Sequence, residues 1–178
     1  KIGASLLEKE QVERYLAIAR KHGIDTLLTI SNQFATRPDH SPVSVSGNLT
    51  RRVSLLHLSW TAILTEAILL QENASITDPE QAFILREFVR FFSHESVGVN
   101  GYTSMPNEWR KVVEAVQARA TLKKTDTAIQ SIVSGWQQEV KDVTLLMSRI
   151  LGRPVSVQLS NSHAKNFEKR LRNDVAAL

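Results

Sequence analysis

Apolar residues near the start of the chain recur at the spacing of an amphipathic helix. One face of that helix would carry Leu7, Val12, Tyr15, Leu16 and Ala19. Ser5 and Glu8 form a capping-box pair at its beginning, and Gly23 is the residue type that commonly follows a helix end. The sequence therefore predicts a helix over residues 6–22.

Four apolar or alternating segments predict β-strands. Asp25–Ser31 is β-branched and apolar, which is typical of a buried strand. Val43–Ser46 alternates like an edge strand, and Val53–Leu58 follows as another strand. Close to the end of the chain, Val155–Leu159 alternates over a short stretch. Residues 32–42, between the first two segments, are rich in loop-forming residue types and predict a polar loop.

The remainder of the chain has helical periodicity. Predicted helices cover residues 60–72, open at Asp78–Pro79 with proline in the first position, and follow Asn107. A basic helix ends the chain. The pattern as a whole predicts a predominantly helical α+β fold. Residues 1–60 would form an α/β front of one helix and three strands, and residues 61–178 a helical bundle with one short late strand.

The longest predicted helix, from Asp126 to Gly152, carries apolar residues that alternate by four and three positions. They are Ile129, Val133, Trp136, Val140, Val143, Met147 and Ile150, and we call them the seam. Two interpretations are open for this seam. It packs against other helices of the same chain, which the large Trp136 favours, or it joins two copies in a homo-oligomer.

Composition narrows the classes of function. Apolar residues make up 42% of the 178 positions, which excludes wholesale disorder, and every apolar run is too short for a membrane span. The chain has no cysteine, so disulfides and cysteine catalysis are excluded, and we expect a reducing cytoplasm. A net charge of +4 permits a polyanionic partner. Because the chain begins with Lys1, we expect a fragment of a longer polypeptide.

The most informative motif is a glutamine and a tyrosine four residues apart on the first helix. Gln11 and Tyr15 would lie one above the other on one helix face. A Gln-x-x-x-Tyr helix followed by a buried strand resembles part of the PD-(D/E)XK nucleases, in particular their recombination-exonuclease branch. Lys1 stands where the lysine of that family's Glu-x-Lys motif would stand. The wider sequence, including Thr29–Gln33 and Leu56–Trp60, is also similar to uncharacterised actinobacterial proteins.

The resemblance implies a metal-dependent nuclease acting on DNA. Lys1, Gln11 and Tyr15 would be its catalytic-site residues, and Mg²⁺ or Mn²⁺ its cofactor. The carboxylates that bind the metal would precede Lys1, so the resemblance predicts no metal site in this fragment and no cleavage by it alone. Pro38–Asp39 lacks a following strand-borne Glu-x-Lys, and Glu139–Lys141 matches those letters only inside the long helix, on a face expected to be solvated.

Two groups of basic residues are candidate nucleic-acid contacts. Arg37 lies in the polar loop, and Arg51 and Arg52 precede a strand. On the last helix, charges repeat by four and three positions and would form one stripe: Lys165, Lys169 and Arg172. Each group is also consistent with an ordinary solvated surface. The alternative to a nuclease is a non-catalytic module that binds a protein partner or oligomerises. No membrane contact is expected for either.

Overall fold

A computed structural model describes residues 6–35, 37–74, 76–121, 123, 126–165 and 167–177. The fold is α+β and predominantly helical, as the sequence predicts. The helices and strands in chain order are α1 (Lys9–Lys21), β1 (Thr26–Ser31), α2 (Gly47–Thr50), β2 (Ser54–Ser59), α3 (Trp60–Glu72), α4 (Pro79–Phe92), α5 (Glu108–Gln117), α6 (Thr127–Leu151), α7 (Asn161–Lys165) and α8 (Phe167–Ala177).

The two strands form a parallel pair, with Thr26 opposite Ser54 and Ser31 opposite Ser59. Helix α1 covers this pair through a small apolar core of buried residues: Val12, Leu16, Ala19 and Val53. The helix starts beside the carboxyl end of β1, because the Leu7 amide donates a hydrogen bond of 2.7 Å to Oε1 of Gln33. This bond holds residues 6–8 outside the helix, so α1 begins three residues later than predicted.

Helix α6 packs on α3, α5 and α8. In its first half, Ile129 and Val133 are buried against Val112 of α5 and Val175 of α8. Gly135 permits a close approach to the segment before α5. A Cβ atom at this position would lie 2.6 Å from Cδ of Pro106 and 2.7 Å from the hydroxyl of Tyr102. The glycine therefore sets how closely this segment lies against α6.

From Trp136 onward, α6 does not bury its seam. The buried residues there are Gln137, Thr144, Leu145 and Ser148, which lie roughly a third of a turn around the helix from the seam at 100° per residue. As a result, the seam residues from Trp136 onward are half-buried or exposed, and Ile150 is 72% exposed. The interpretation of the whole seam as an internal packing surface is wrong for this part.

Two of the predicted strands are not strands in the structure. In Val43–Ser46, the Ser46 amide donates to Oε1 of Glu13 and the Val43 amide to Oγ of Ser41. In Val155–Leu159, the Val155 amide donates to Oγ of Ser148. Because side chains accept hydrogen bonds from these backbone amides, neither segment pairs with a neighbouring strand.

The last predicted helix is two helices, with α7 ending at Lys165 and α8 beginning at Phe167. Asn173 and His163 connect them through a 2.8 Å contact between Nδ2 and Nε2. Among the helices of the described ranges, none combines the length and the apolar character needed to cross a membrane.

Candidate nucleic-acid interface

Gln11 and Tyr15 lie together in a shallow depression of about 370 Å³ between α1 and β1. The strand side of the depression is formed by four successive residues, Leu27 to Ile30. Successive side chains of a strand point to opposite faces, so a depression that touches all four runs along the strand's edge. In the described part of the chain β1 pairs only with β2. The depression therefore follows the edge of β1 that faces away from β2.

The polar ends of both side chains are available to a ligand. Tyr15 is 45% exposed and Gln11 is partly buried. Neither side chain makes a hydrogen bond to the described residues. The guanidinium carbon of Arg14 lies 6.0 Å from the centre of the Tyr15 ring, which adds positive charge over the ring. An amide, a hydroxyl and a nearby cation on one face are suited to the oxygens of a phosphodiester.

The described residues do not provide a divalent-cation site. They contain no group of three His, Cys, Asp or Glu side chains arranged to hold a metal ion. Asp39 is engaged with Arg37, and Glu139 lies on an exposed turn of α6. The donor set required for Mg²⁺ or Mn²⁺ is therefore not formed in the described ranges. Lys1, the remaining candidate from the motif, lies outside the described residues.

Arg37 is already paired with a carboxylate. Its Nε lies 2.9 Å from Oδ1 of Asp39 and its Nη2 lies 3.2 Å from Oδ2. The hydrogen bond to Asp39 raises the pKa of Arg37 and lowers the pKa of Asp39. This two-point pair neutralises the arginine locally, which makes Arg37 the weakest of the predicted phosphate contacts.

Arg51 and Arg52 are exposed and lie at the amino end of the sheet. Their position follows from the register, because Ser54 pairs with Thr26 and its amide donates to the carbonyl of Asp25. Helix α1 ends at this same end with Arg20 and Lys21 in its last turn. All four residues therefore lie at the end of β1 opposite Leu7 and Gln33.

The basic residues near the end of the chain do not form one stripe on one helix. Lys165 is the last residue of α7, whereas Lys169 and Arg172 are exposed on α8. Between them, Arg170 is buried, with its Nε 3.4 Å from Oδ2 of Asp174. The expected four-and-three repeat is broken because the chain changes helix inside it.

A polar depression that the sequence analysis missed lies at the carboxyl end of β1. It measures about 340 Å³, and its walls include Asn32, Gln33, Tyr102 and Gln138. Burial, together with the negative charge of Glu139, raises the pKa of Tyr102, so its phenol is neutral. The sequence did contain a signal for part of this site: Asn32 and Gln33 directly follow a predicted buried strand, and residues in that position commonly bind ligands. Gln138 and Tyr102 are distant in sequence and gave no such signal.

His57 connects the two strands beneath this depression. It is 1% exposed, and its Nε2 lies 2.8 Å from the carbonyl oxygen of Gln33. A carbonyl can only accept, so Nε2 carries the proton, and Nδ1 lies 3.0 Å from Oγ1 of Thr29. These two contacts satisfy both ring nitrogens of this buried histidine. Burial lowers the pKa of His57.

Comparison of the chain with protein-family models, with curated protein sequences and with solved structures found no match.

Proposed function

We propose that this chain is the C-terminal part of a metal-dependent phosphodiesterase that acts on DNA in the cytoplasm. The observation that supports the proposal is the shared position of Gln11 and Tyr15 beside the edge of β1 that faces away from β2. A parallel pair is stable when further strands or helices cover it, so this edge is suited to another strand. In the proposal that strand carries Glu-x-Lys, and the carboxylates that bind Mg²⁺ or Mn²⁺ lie upstream of Lys1.

The described side chains would hold the nucleic acid. The Gln11 amide and the Tyr15 hydroxyl would donate hydrogen bonds to phosphate oxygens, and Arg51 and Arg52 would contact phosphates further along. A six-residue strand is roughly 20 Å long, and one base pair rises about 3.4 Å. The glutamine and the arginine pair lie towards opposite ends of β1, so a duplex in contact with both would span about six base pairs.

The experiment measures binding of fluorescent duplex and single-stranded DNA to this chain over about 50 to 200 mM salt. We expect Arg51→Glu with Arg52→Glu to weaken binding and to flatten the slope of log K against log salt by about 2, because two phosphate contacts are lost. Arg86→Glu with Arg90→Glu is the matched control, since it makes the same charge change on α4. It should leave most of the slope intact.

A second pair of variants tests the helix face itself. Tyr15→Phe removes only the hydroxyl, and Gln11→Ala only the amide. Each should lower the affinity for DNA about fivefold, which is the effect of one lost hydrogen bond. Unaltered binding in both variants, or equal losses in the arginine pair and in its α4 control, would contradict the proposed interface. Cleavage is expected of the polypeptide that includes the upstream carboxylates, in the presence of Mg²⁺ or Mn²⁺.

A second candidate function is self-association through α6. The exposed second half of the seam supports it, because Trp136, Val143, Met147 and Ile150 are each at least 44% exposed. Apolar residues repeating every three or four positions along a solvent-facing helix are suited to a second copy of that helix. In this interpretation the chain is an oligomerisation module.

Sedimentation equilibrium tests the second candidate. If it holds, the mass of the chain should rise with concentration, and Met147→Asp with Ile150→Asp should return it to the monomer mass of 20.0 kDa. Val116→Asp, an exposed apolar position on α5, should have no such effect. A monomeric wild-type chain at all concentrations would rule out the module.

A further inference from the structure

An apolar groove lies between α3, α4 and α6. It measures about 810 Å³ and is closed at one side by Pro154–Ser156. Its apolar wall residues include Leu58, Ile63, Leu69, Leu85, Phe88 and Leu145. Small-molecule sites in proteins have volumes of roughly 300 to 1,000 Å³ and mostly apolar walls. By size and lining, this groove belongs to that class.

Of the three hydroxyl groups on the walls, those of Thr65 and Ser148 are already engaged, and the third belongs to Ser156, which is exposed to solvent. Oγ1 of Thr65 donates to the carbonyl of Thr61 at 2.8 Å. Oγ of Ser148 donates to the carbonyl of Thr144 at 2.7 Å and accepts from the amide of Val155 at 2.8 Å. A ligand would therefore find little hydrogen bonding along the walls. Its contacts there would be those of an apolar body.

Lys141 provides a positive charge inside the groove. It lies on the same face of α6 as Leu145 and Ser148, at positions i, i+4 and i+7, rather than on the solvated face that was expected. Its ammonium makes no ion pair or hydrogen bond with the described residues. Glu66 and Gln81 also line the groove, but both are exposed to solvent. Burial lowers the pKa of Lys141, and no acidic neighbour opposes that effect.

We infer that the groove binds an amphiphile with one carboxylate and a long hydrocarbon chain, the chemical class of a fatty acid. The carboxylate would pair with the Lys141 ammonium, and the hydrocarbon chain would lie along the walls from α3 and α4. A partly buried ammonium without a counter-ion is less favourable than one in water, and an anionic head group would reduce that penalty. The single cation on apolar walls complements a ligand with a single anion and an apolar body. This inference does not depend on the proposed nuclease function.

The experiment is displacement of a fluorescent long-chain fatty acid, cis-parinaric acid, by palmitate and by hexadecanol. The two competitors have the same chain length and differ in the head group. On the wild-type chain, palmitate should displace the probe at about tenfold lower concentration than hexadecanol. In Lys141→Met, which keeps a long apolar side chain, the two competitors should become equal. Lys111→Met removes an exposed lysine of α5 and should keep the preference for palmitate.

Three results would overturn the inference. They are no binding of the probe by the wild-type chain, equal displacement by acid and alcohol on that chain, and a preference for acid that persists in Lys141→Met. The thermal unfolding midpoint of Lys141→Met serves as the folding check. It should equal or exceed that of the wild-type chain, because the variant removes a charge from an apolar site.

Discussion

Replacing His57 by alanine is expected to lower the free energy of unfolding by about 3 kcal/mol. The substitution leaves a cavity at a site that is 1% exposed. It also removes the partner of the Gln33 carbonyl and a neighbour of the Thr29 hydroxyl. Urea unfolding measures the loss. His22→Ala, at the exposed end of α1, is the control and should change the free energy by less than about 0.5 kcal/mol.

The same histidine makes stability depend on pH. Because burial lowers the pKa of His57 below the ordinary value of 6.5, the unfolded chain binds a proton that the folded chain does not bind. Stability is therefore complete above about pH 6.5 and decreases as the pH falls towards the folded pKa. Burial also lowers the pKa of His40, which acts on stability with the same sign. In His57→Leu, the free energy of unfolding should fall less as the pH is lowered. A pH profile of stability identical to that of the wild-type chain would show that His57 does not cause the loss.

Leu16→Ala should have a comparable or larger effect, a loss of about 3 to 4 kcal/mol in the free energy of unfolding. Leu16 is fully buried in the core between α1 and the strands. Ile18 lies on the same helix and is 47% exposed. Ile18→Ala is thus a control with the same helix and a similar change in volume, and it should cost about 1 kcal/mol or less. Equal losses in the two variants would mean that α1 does not pack as described.

Several predictions that rest on a local helical signal agree with the structure, although α1 begins later than predicted. Helices α3 and α6 begin and end within one residue of their predicted limits, and α4 and α5 begin at their predicted positions. The Asp78 carboxylate accepts from the amides of Glu80 and Gln81, which confirms a helix start read from Asp-Pro. Such signals are local, because caps and periodicity involve residues within one or two turns.

The errors concern features that depend on distant residues. Val43–Ser46 has the alternation of a strand, but the Glu13 carboxylate, 33 positions away from Ser46, takes up a backbone donor there. The seam is regular along the sequence, whereas its burial depends on where α3, α5 and α8 lie. Periodicity predicts that a helix has an apolar face. It does not predict which neighbour covers that face.

In the candidate site, too, some features follow from the local sequence and others depend on how distant parts of the chain pack. That Gln11 and Tyr15 share a helix face follows from their spacing alone, and the structure places both in one depression. The pairing of Arg37 with Asp39 depends on loop conformation, and the position of Lys141 depends on the packing of α6 on α3. These last two features change the chemistry most, because one neutralises a predicted phosphate contact and the other places a lysine in an apolar groove.

The register of the parallel pair also affects the order in which the chain folds. Each residue of β1 pairs with a residue 28 positions later, as Thr26 does with Ser54. Helices form from local contacts within about a microsecond, whereas this pair must first close a long loop. We therefore expect the helices to form first and the two strands to join late. Until they join, the backbone of both strands is exposed to intermolecular pairing, so dilute refolding should give the higher yield of native chain.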